Sequence, residues 1–406
     1  MKQQRIGILT FHRSYNYGAF LQCYSLVNRI RQQVPHSVVE VVDYTSPRTL
    51  EGYRLKLEQT PKRYREAISV RNQQFEEAVK YLPLSPFRIC SDNYEELFRA
   101  VSERYDVLVV GSDAVFNWGG KGLPNAYFPD DRVSSRKVSY AASCYGMDYT
   151  AMSDQDKQII QNSLSSFSYL GVRDGATEKL VKSLCGQVPV FHNGDPSCFL
   201  DLDTLPVDRN RLKKKLERHG VDFKKPVIGL MAGGHLGHEV AKRFKGKAQL
   251  VAVYEPNPYA DVFLYDLNPF EWASVFSFFD VTLTHFFHGT MFSLKNETPV
   301  MAVELNTPYA KRYKTKIRDV LERLNLEECH YTWNRLDWSR TRRMANKLGI
   351  FTDWDFWTPV CEEIERTFSG DKRKTLKNVF QDEVQSAASF WDVLNQLLEK
   401  GYKNGD

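Results

Sequence analysis

The chain has 406 residues, 42% of them hydrophobic and 13% aromatic, with a formal net charge of +5 at pH 7. That length exceeds the size at which a single core keeps growing, so two domains are expected, and the apolar content excludes a large disordered region. So small a charge excess argues against nucleic acid as a partner; seven scattered cysteines with no C-x-x-C pair argue against a disulfide framework or structural zinc.

No run approaches the roughly 20 apolar residues that span a bilayer, and Ile6 to Phe11 is too short for a signal-peptide core. The expected setting is therefore cytoplasmic. Arg5 to Thr10 reads as a buried strand, the turn Ser14 to Gly18 leads into a helical pattern through Leu21, Leu26 and Ile30, and Val38 to Tyr44 is a second strand. That β-α-β opening points to a parallel sheet. From about residue 50 to 82 a long polar helix with alternating charge signs reads as a solvated face, with an acceptor-grasping flap as the alternative.

Strands follow at Asp106 to Val110, Val138 to Ala142, Leu170 to Arg173 and Val188 to Phe191, alternating with helices, which completes one doubly wound domain over 1–208. A basic stretch from Arg209 to Lys225 contains the expected boundary. A second alternation over 222–330 has strands at Val227 to Met231, Leu250 to Tyr254, Val262 to Tyr265, Val281 to Thr284 and Val300 to Val303. Residues 331–406 form a third section, rich in Trp and Arg at first and ending in an amphipathic helix through Phe390, Val393, Leu394 and Leu398. Its basic, Trp-rich part reads either as a packed cap or as a peripheral contact with an anionic membrane surface.

In an open parallel sheet, ligands collect at the carboxyl ends of strands, where helix starts favour anions. Four polar segments fall there: Asn16-Tyr17-Gly18-Ala19, Gly111-Ser112-Asp113, Arg173-Asp174, and His285 through Thr290. Asp113 is a general base or simply a helix cap. The turn at Asn16 to Gly18 is a ligand-approach point or an ordinary strand-to-helix turn. Gly233, Gly234 and Gly237 resemble a phosphate-binding turn but lack the nucleotide fingerprint. His285 and His288, three apart at a strand end, have no Cys, Asp or Glu at ligand spacing, so no metal is expected. A histidine at a helix start becomes a useful acid once an anionic substrate is bound.

Taken in order, Asn16-Tyr17-Gly18-Ala19, Val41-Val42-Asp43-Tyr44, Val109-Val110-Gly111-Ser112-Asp113 and Ser139-Tyr140-Ala141-Ala142-Ser143 resemble landmarks of the polysaccharide pyruvyl transferase family. Val172-Arg173-Asp174, Asp195-Pro196-Ser197 and Phe287-His288-Gly289-Thr290 continue the series. The resemblance implies an α/β fold of two Rossmann-like doubly wound domains facing a central cleft, similar to two-domain GT-B glycosyltransferases, here with a C-terminal helical extension. It implies phosphoenolpyruvate as donor, no cofactor, and a sugar or lipid-linked oligosaccharide as acceptor, at the inner face of the membrane in one version.

By the same resemblance His288 takes the acid or phosphate-contact role, Arg173 a donor-anion role, and Asp113 a base or acceptor-orienting role. Lys316, with Arg312 as the alternative, is an anion ligand, and Asn16, Tyr17, Gly18, Ser112, Phe287, Gly289 and Thr290 line the substrate. The chain departs from the family where Phe286 replaces a frequent arginine and where Ala114 and Phe116 replace Gln and Trp. These departures keep two other readings open: a nucleotide-sugar glycosyltransferase and a non-catalytic glycan-binding relative.

Overall fold

A computed structural model describes residues 3–119, 121–232, 234–305, 307–333, 357–368 and 378–403. The chain divides into two compact units: residues 1–65, 72–200 and 380–406 in the first, and 66–71 with 201–379 in the second.

The first unit is built on β1 (Arg5–Leu9), α1 (Tyr17–Gln33), β2 (Val38–Thr45), α2 (Pro47–Gln59), α3 (Lys62–Val79, part of which belongs to the second unit), β3 (Leu84–Cys90) and α4 (Tyr94–Arg104). It continues with β4 (Val107–Asp113), β5 (Arg136–Ala142), α5 (Asp154–Leu164), β6 (Phe167–Val172), α6 (Gly175–Leu184) and β7 (Val190–His192). The strands make one seven-stranded sheet in the order β3-β2-β1-β4-β5-β6-β7, with every pairing parallel. Strands buried on both faces must be apolar throughout, as the fully buried Val107–Asp113 run shows.

The second unit has α7 (Arg209–Arg218), β8 (Val227–Met231), α8 (Gly234–Phe244), β9 (Gln249–Val253), β10 (Val262–Leu264), α9 (Pro269–Val275) and β11 (Val281–Thr284). After these come α10 (Phe287–Lys295), β12 (Val300–Leu305), α11 (Pro308–Arg312), α12 (Lys316–Arg323), β13 (His330–Trp333) and α13 (Trp357–Phe368). Its six strands are also all parallel, in the order β10-β9-β8-β11-β12-β13.

Several elements differ from the sequence reading. The long polar segment is two helices, because Thr60 and Pro61 end α2 before α3 begins, and α2 buries none of its residues. β3 was not expected; it is a sheet edge, where Pro86 and Arg88 are tolerated because one side needs no ladder bonds. The basic stretch holding the expected boundary is α7, capped by Asp208 and burying Leu212 and Leu216, while the units part between Leu200 and Asp201. The turn at Gly233 lies partly outside the described residues. Gly237 nevertheless has a packing reason, since a Cβ there would meet Asn257 Oδ1 at 2.5 Å.

The stretch 331–406 falls in both units. Val360, Cys361 and Ile364 of α13 join the second core beside Val240 and Phe244. Two further helices, α14 (Gln381–Gln385) and α15 (Ala388–Lys403), belong to the first unit. Phe390 is fully buried, with its ring edge-on to Tyr140 at 4.7 Å and Tyr169 at 5.6 Å. Trp338, Trp354, Arg335, Arg340, Arg342 and Arg343 lie outside the described residues. Among the described residues no helix is long and apolar enough to cross a membrane.

Phe390→Ala would remove an aromatic ring that two strand tyrosines enclose. A loss of about 3–5 kcal/mol is expected in chemical denaturation followed through the first unit. Wild-type stability would show that α15 lies outside that core.

Candidate active site

Strand order reverses between β1 and β4 in the first sheet and between β8 and β11 in the second. Outside the carboxyl ends of such strands two loops diverge and leave a crevice. Asn16–Gly18 follow β1, Ser112 and Asp113 end β4, and His288–Thr290 follow β11, whereas Arg173 follows β6 and Arg312 and Lys316 follow β12.

In the first unit, Arg173 follows β6 and donates its backbone N–H to Ala142 O at 3.0 Å. Its side chain is only 2% exposed. One terminal nitrogen donates to Asp195 Oδ2 at 2.8 Å and reaches Gln22 Oε1 at 3.5 Å; the other stands 3.7 Å from Asp113 Oδ1. Burial disfavours the guanidinium charge, but Asp195, Asp113 and Asp174 outweigh it and raise its affinity for the proton above the ordinary value. The positive charge is thus taken up inside the protein, which weakens the donor-anion role implied by the resemblance. Its approach to Asp113 is a 3.7 Å ion pair, longer than its 2.8 Å bond to Asp195.

Asp113 ends β4 at φ 81°, a conformation that non-glycine residues rarely adopt. Its Oδ1 accepts from Ala114 N at 2.7 Å, so the capping alternative holds locally, yet the side chain also belongs to the Arg173 cluster. Two residues earlier Gly111 sits at φ +125°, and a Cβ there would lie 2.2 Å from Tyr140 O, so only glycine fits. Ser112 is fully enclosed, with its carbonyl accepting from Thr10 Oγ1 at 2.9 Å.

At the end of β1, Asn16 caps α1, its Oδ1 accepting from Ala19 N at 3.2 Å. Tyr17 is buried and stacked on Phe75. The ordinary strand-to-helix reading of Asn16–Gly18 therefore describes its local role. The sequence reading missed the pair just before it. Arg13 makes a two-pronged contact with Asp43, Nε to Oδ1 at 2.5 Å and a terminal nitrogen to Oδ2 at 2.7 Å, and the ring of His12 meets the same carboxylate at 3.1 Å. Together they hold the Asp43 carboxyl well below the usual carboxylate range, against its own burial. The available signal was their position at a strand end beside the quoted Val41-Val42-Asp43-Tyr44.

In the second unit, α10 starts directly after β11. Its N-cap is Phe286, which offers no side-chain acceptor, so nothing on that residue ties up the first-turn amides. Gly289 permits this close approach, because a Cβ would meet Thr284 Oγ1 at 2.4 Å. Thr290 Oγ1 donates back to Phe286 O at 3.2 Å and steadies the turn. His288 is 8% exposed, edge-on to Phe287 with ring centroids 5.2 Å apart. Lys316, which opens α12, holds its ammonium 5.4 Å from the centroid of the same Phe287 ring. His288, Phe287 and Lys316 thus come together; Arg312 is exposed in the last turn of α11. Behind them, Glu304 accepts from His330 Nε2 at 2.9 Å and from the Thr315 hydroxyl, a network that the sequence did not announce. Among the described residues no group of three or more His, Cys, Asp or Glu could hold a metal ion.

A family model for polysaccharide pyruvyl transferases matches residues 16–307. No curated protein matches the sequence. Among solved structures, the UDP-GlcNAc 2-epimerase from Neisseria meningitidis bound to UDP-GlcNAc superposes with a TM-score of 0.52 at 11% identity, covering 98% of this chain and 100% of that one. A glycosyltransferase from Rickettsia africae gives a TM-score of 0.48 at 8% identity over 99% and 98% of the two chains. The likeness to the epimerase is one of fold: two parallel-sheet α/β domains of the GT-B type.

Arg173→Ala would leave Asp195 buried without its cation, with an expected loss of about 3–5 kcal/mol in urea denaturation. Arg173→Lys keeps the charge and should recover part of it. An alanine variant as stable as the wild type would show that the buried pair with Asp195 contributes nothing to stability.

Proposed function

Because the chain belongs to the polysaccharide pyruvyl transferase family, we propose that it moves the three-carbon unit of phosphoenolpyruvate onto two hydroxyls of a cell-surface sugar as a pyruvate ketal. The observation that carries the donor half is the start of α10, at a strand-order reversal, with His288 in its first turn and Lys316 on the same aromatic ring. A donor with a carboxylate and a phosphate needs such a combination of amides, imidazole and ammonium. Phe287, Gly289 and Thr290 supply the backbone of that turn, and Arg312 is a further anion ligand in this reading.

The chemistry then needs one acid and one base. His288 gives a proton to the methylene carbon, and C2 becomes electron-poor. A sugar hydroxyl forms a bond to C2 while a general base takes its proton. The C2–O bond to phosphate breaks with its electron pair leaving on phosphate, and the second hydroxyl closes the ketal, its proton leaving with the phosphate. This reaction calls for no cofactor. A lipid-linked oligosaccharide at the inner face of the membrane is one acceptor form that fits this reading.

A second reading draws on the UDP-GlcNAc-bound epimerase that shares the fold: a nucleotide sugar as donor. Thermal shift separates them, since whichever ligand binds the native state raises Tm. Stabilisation by phosphoenolpyruvate favours the first reading, and stabilisation by UDP-GlcNAc alone favours the second.

With phosphoenolpyruvate and candidate acceptors, phosphate release and a pyruvyl mass gain are expected from the wild type. His288→Gln should lower kcat by about 10²–10⁴. Lys316→Met should act mainly on KM for the donor. Undiminished turnover in His288→Gln would remove the acid assignment.

A further inference from the structure

A cavity of ≈ 310 Å³ opens in the first unit beyond the ends of β1 and β2, lined by residues that the reading above leaves without a role. Its walls are aromatic: Phe11 and Tyr127 meet edge-on at 4.9 Å, Tyr44 packs against Tyr127 at 6.1 Å, and Tyr53 and Tyr94 complete the lining. Three cations, Arg13, Arg48 and Lys121, also reach it.

These cations are not equivalent. Arg13 is matched by Asp43, and Arg48 is exposed, donating to Lys121 O at 3.3 Å. Lys121 lies over Phe11 with Nζ 4.0 Å from the ring centroid and donates to Asn117 O at 3.2 Å. It has no ion-pair partner among the described residues, and burial pulls its ammonium down to about 8 although Asp113 pulls the other way. The ring faces and Asn117 O offset part of the cost of taking this cation out of water, and an anion in the cavity would offset more of it. Asp92 is the one carboxylate in the lining. The volume is near the low end of the about 300–1,000 Å³ typical of small-molecule sites, which suits one sugar ring with a charged substituent.

Asp113 is not among the lining residues. Its charge bears on Lys121, Tyr53 and Tyr127, three of the lining residues. We propose that the cavity seats an anionic sugar unit, its ring against the tyrosine and phenylalanine faces and its carboxylate or phosphate between Lys121 and Arg48. This rests on the proposed function only where it makes that sugar the acceptor. The selection of an acidic glycan unit is then a property of the first unit alone.

The test is calorimetric titration of the full chain without phosphoenolpyruvate, using glucuronic acid, glucose 1-phosphate, methyl glucoside and inorganic phosphate. Glucuronic acid, glucose 1-phosphate or both should bind at least about tenfold more tightly than methyl glucoside and phosphate, since a charge-assisted contact contributes that much. Which of the two binds tells carboxylate from phosphate. Lys121→Met should weaken that binding by about tenfold or more with Tm unchanged or raised, and Lys121→Arg should restore part of it. Should Lys121→Met fold poorly, the exposed Arg48→Ala takes its place with the same expected loss. The proposal is overturned if neither charged sugar binds, if methyl glucoside or phosphate binds as well as they do, or if the variants bind like the wild type. A chain that binds the acidic sugar yet never releases phosphate from phosphoenolpyruvate keeps this proposal and sinks the catalytic one.

Discussion

The buried guanidinium of Arg173 is the constraint around which the first unit's strand ends are arranged. A cation taken out of water costs several kcal/mol unless carboxylates meet it, and here they come from three places in the chain. Asp113 comes from the end of β4, Asp174 directly follows Arg173 itself, and Asp195 comes from the turn after β7. Pulling these segments together fixes where the loops beyond β4 and β6 run.

The two units repeat one scheme with different contents. Each has an all-parallel sheet whose order reverses beside its first strand, and each puts its polar side chains beyond that reversal. In the first unit the loops carry carboxylates already matched by arginines, with one desolvated ammonium beside aromatic rings. In the second they carry an imidazole, an uncapped helix start and a lysine. Elements of the same fold thus carry different polar groups at equivalent places.

Much of this was legible in the sequence, for physical reasons. Val227–Met231 and Val281–Thr284 are short apolar runs that only a strand buried on both faces explains, and the structure has them at those bounds. His288 was legible because a strand end followed by an apolar helix leaves few places for an imidazole. The helix α7 was missed because its Lys and Arg residues overwhelm the Leu212 and Leu216 spacing that marks its buried side. The partners of Arg173 could not be read, since Asp113 and Asp195 approach it only through tertiary packing. Lys121 lay hidden for the same reason: a lysine in a glycine-bearing loop looks solvated until Phe11 and Tyr127 are seen to enclose it.

The return of α15 to the first unit has a consequence for biosynthesis. Residues 1–200 leave the ribosome early, but the ring of Phe390, which Tyr140 and Tyr169 enclose, is translated almost 200 residues later. Until then, that face of the sheet is apolar and open to water, a surface on which holdase chaperones act. The second unit, which apart from residues 66–71 lies in the intervening sequence, is fully translated first, so the domain begun earliest is the one completed last.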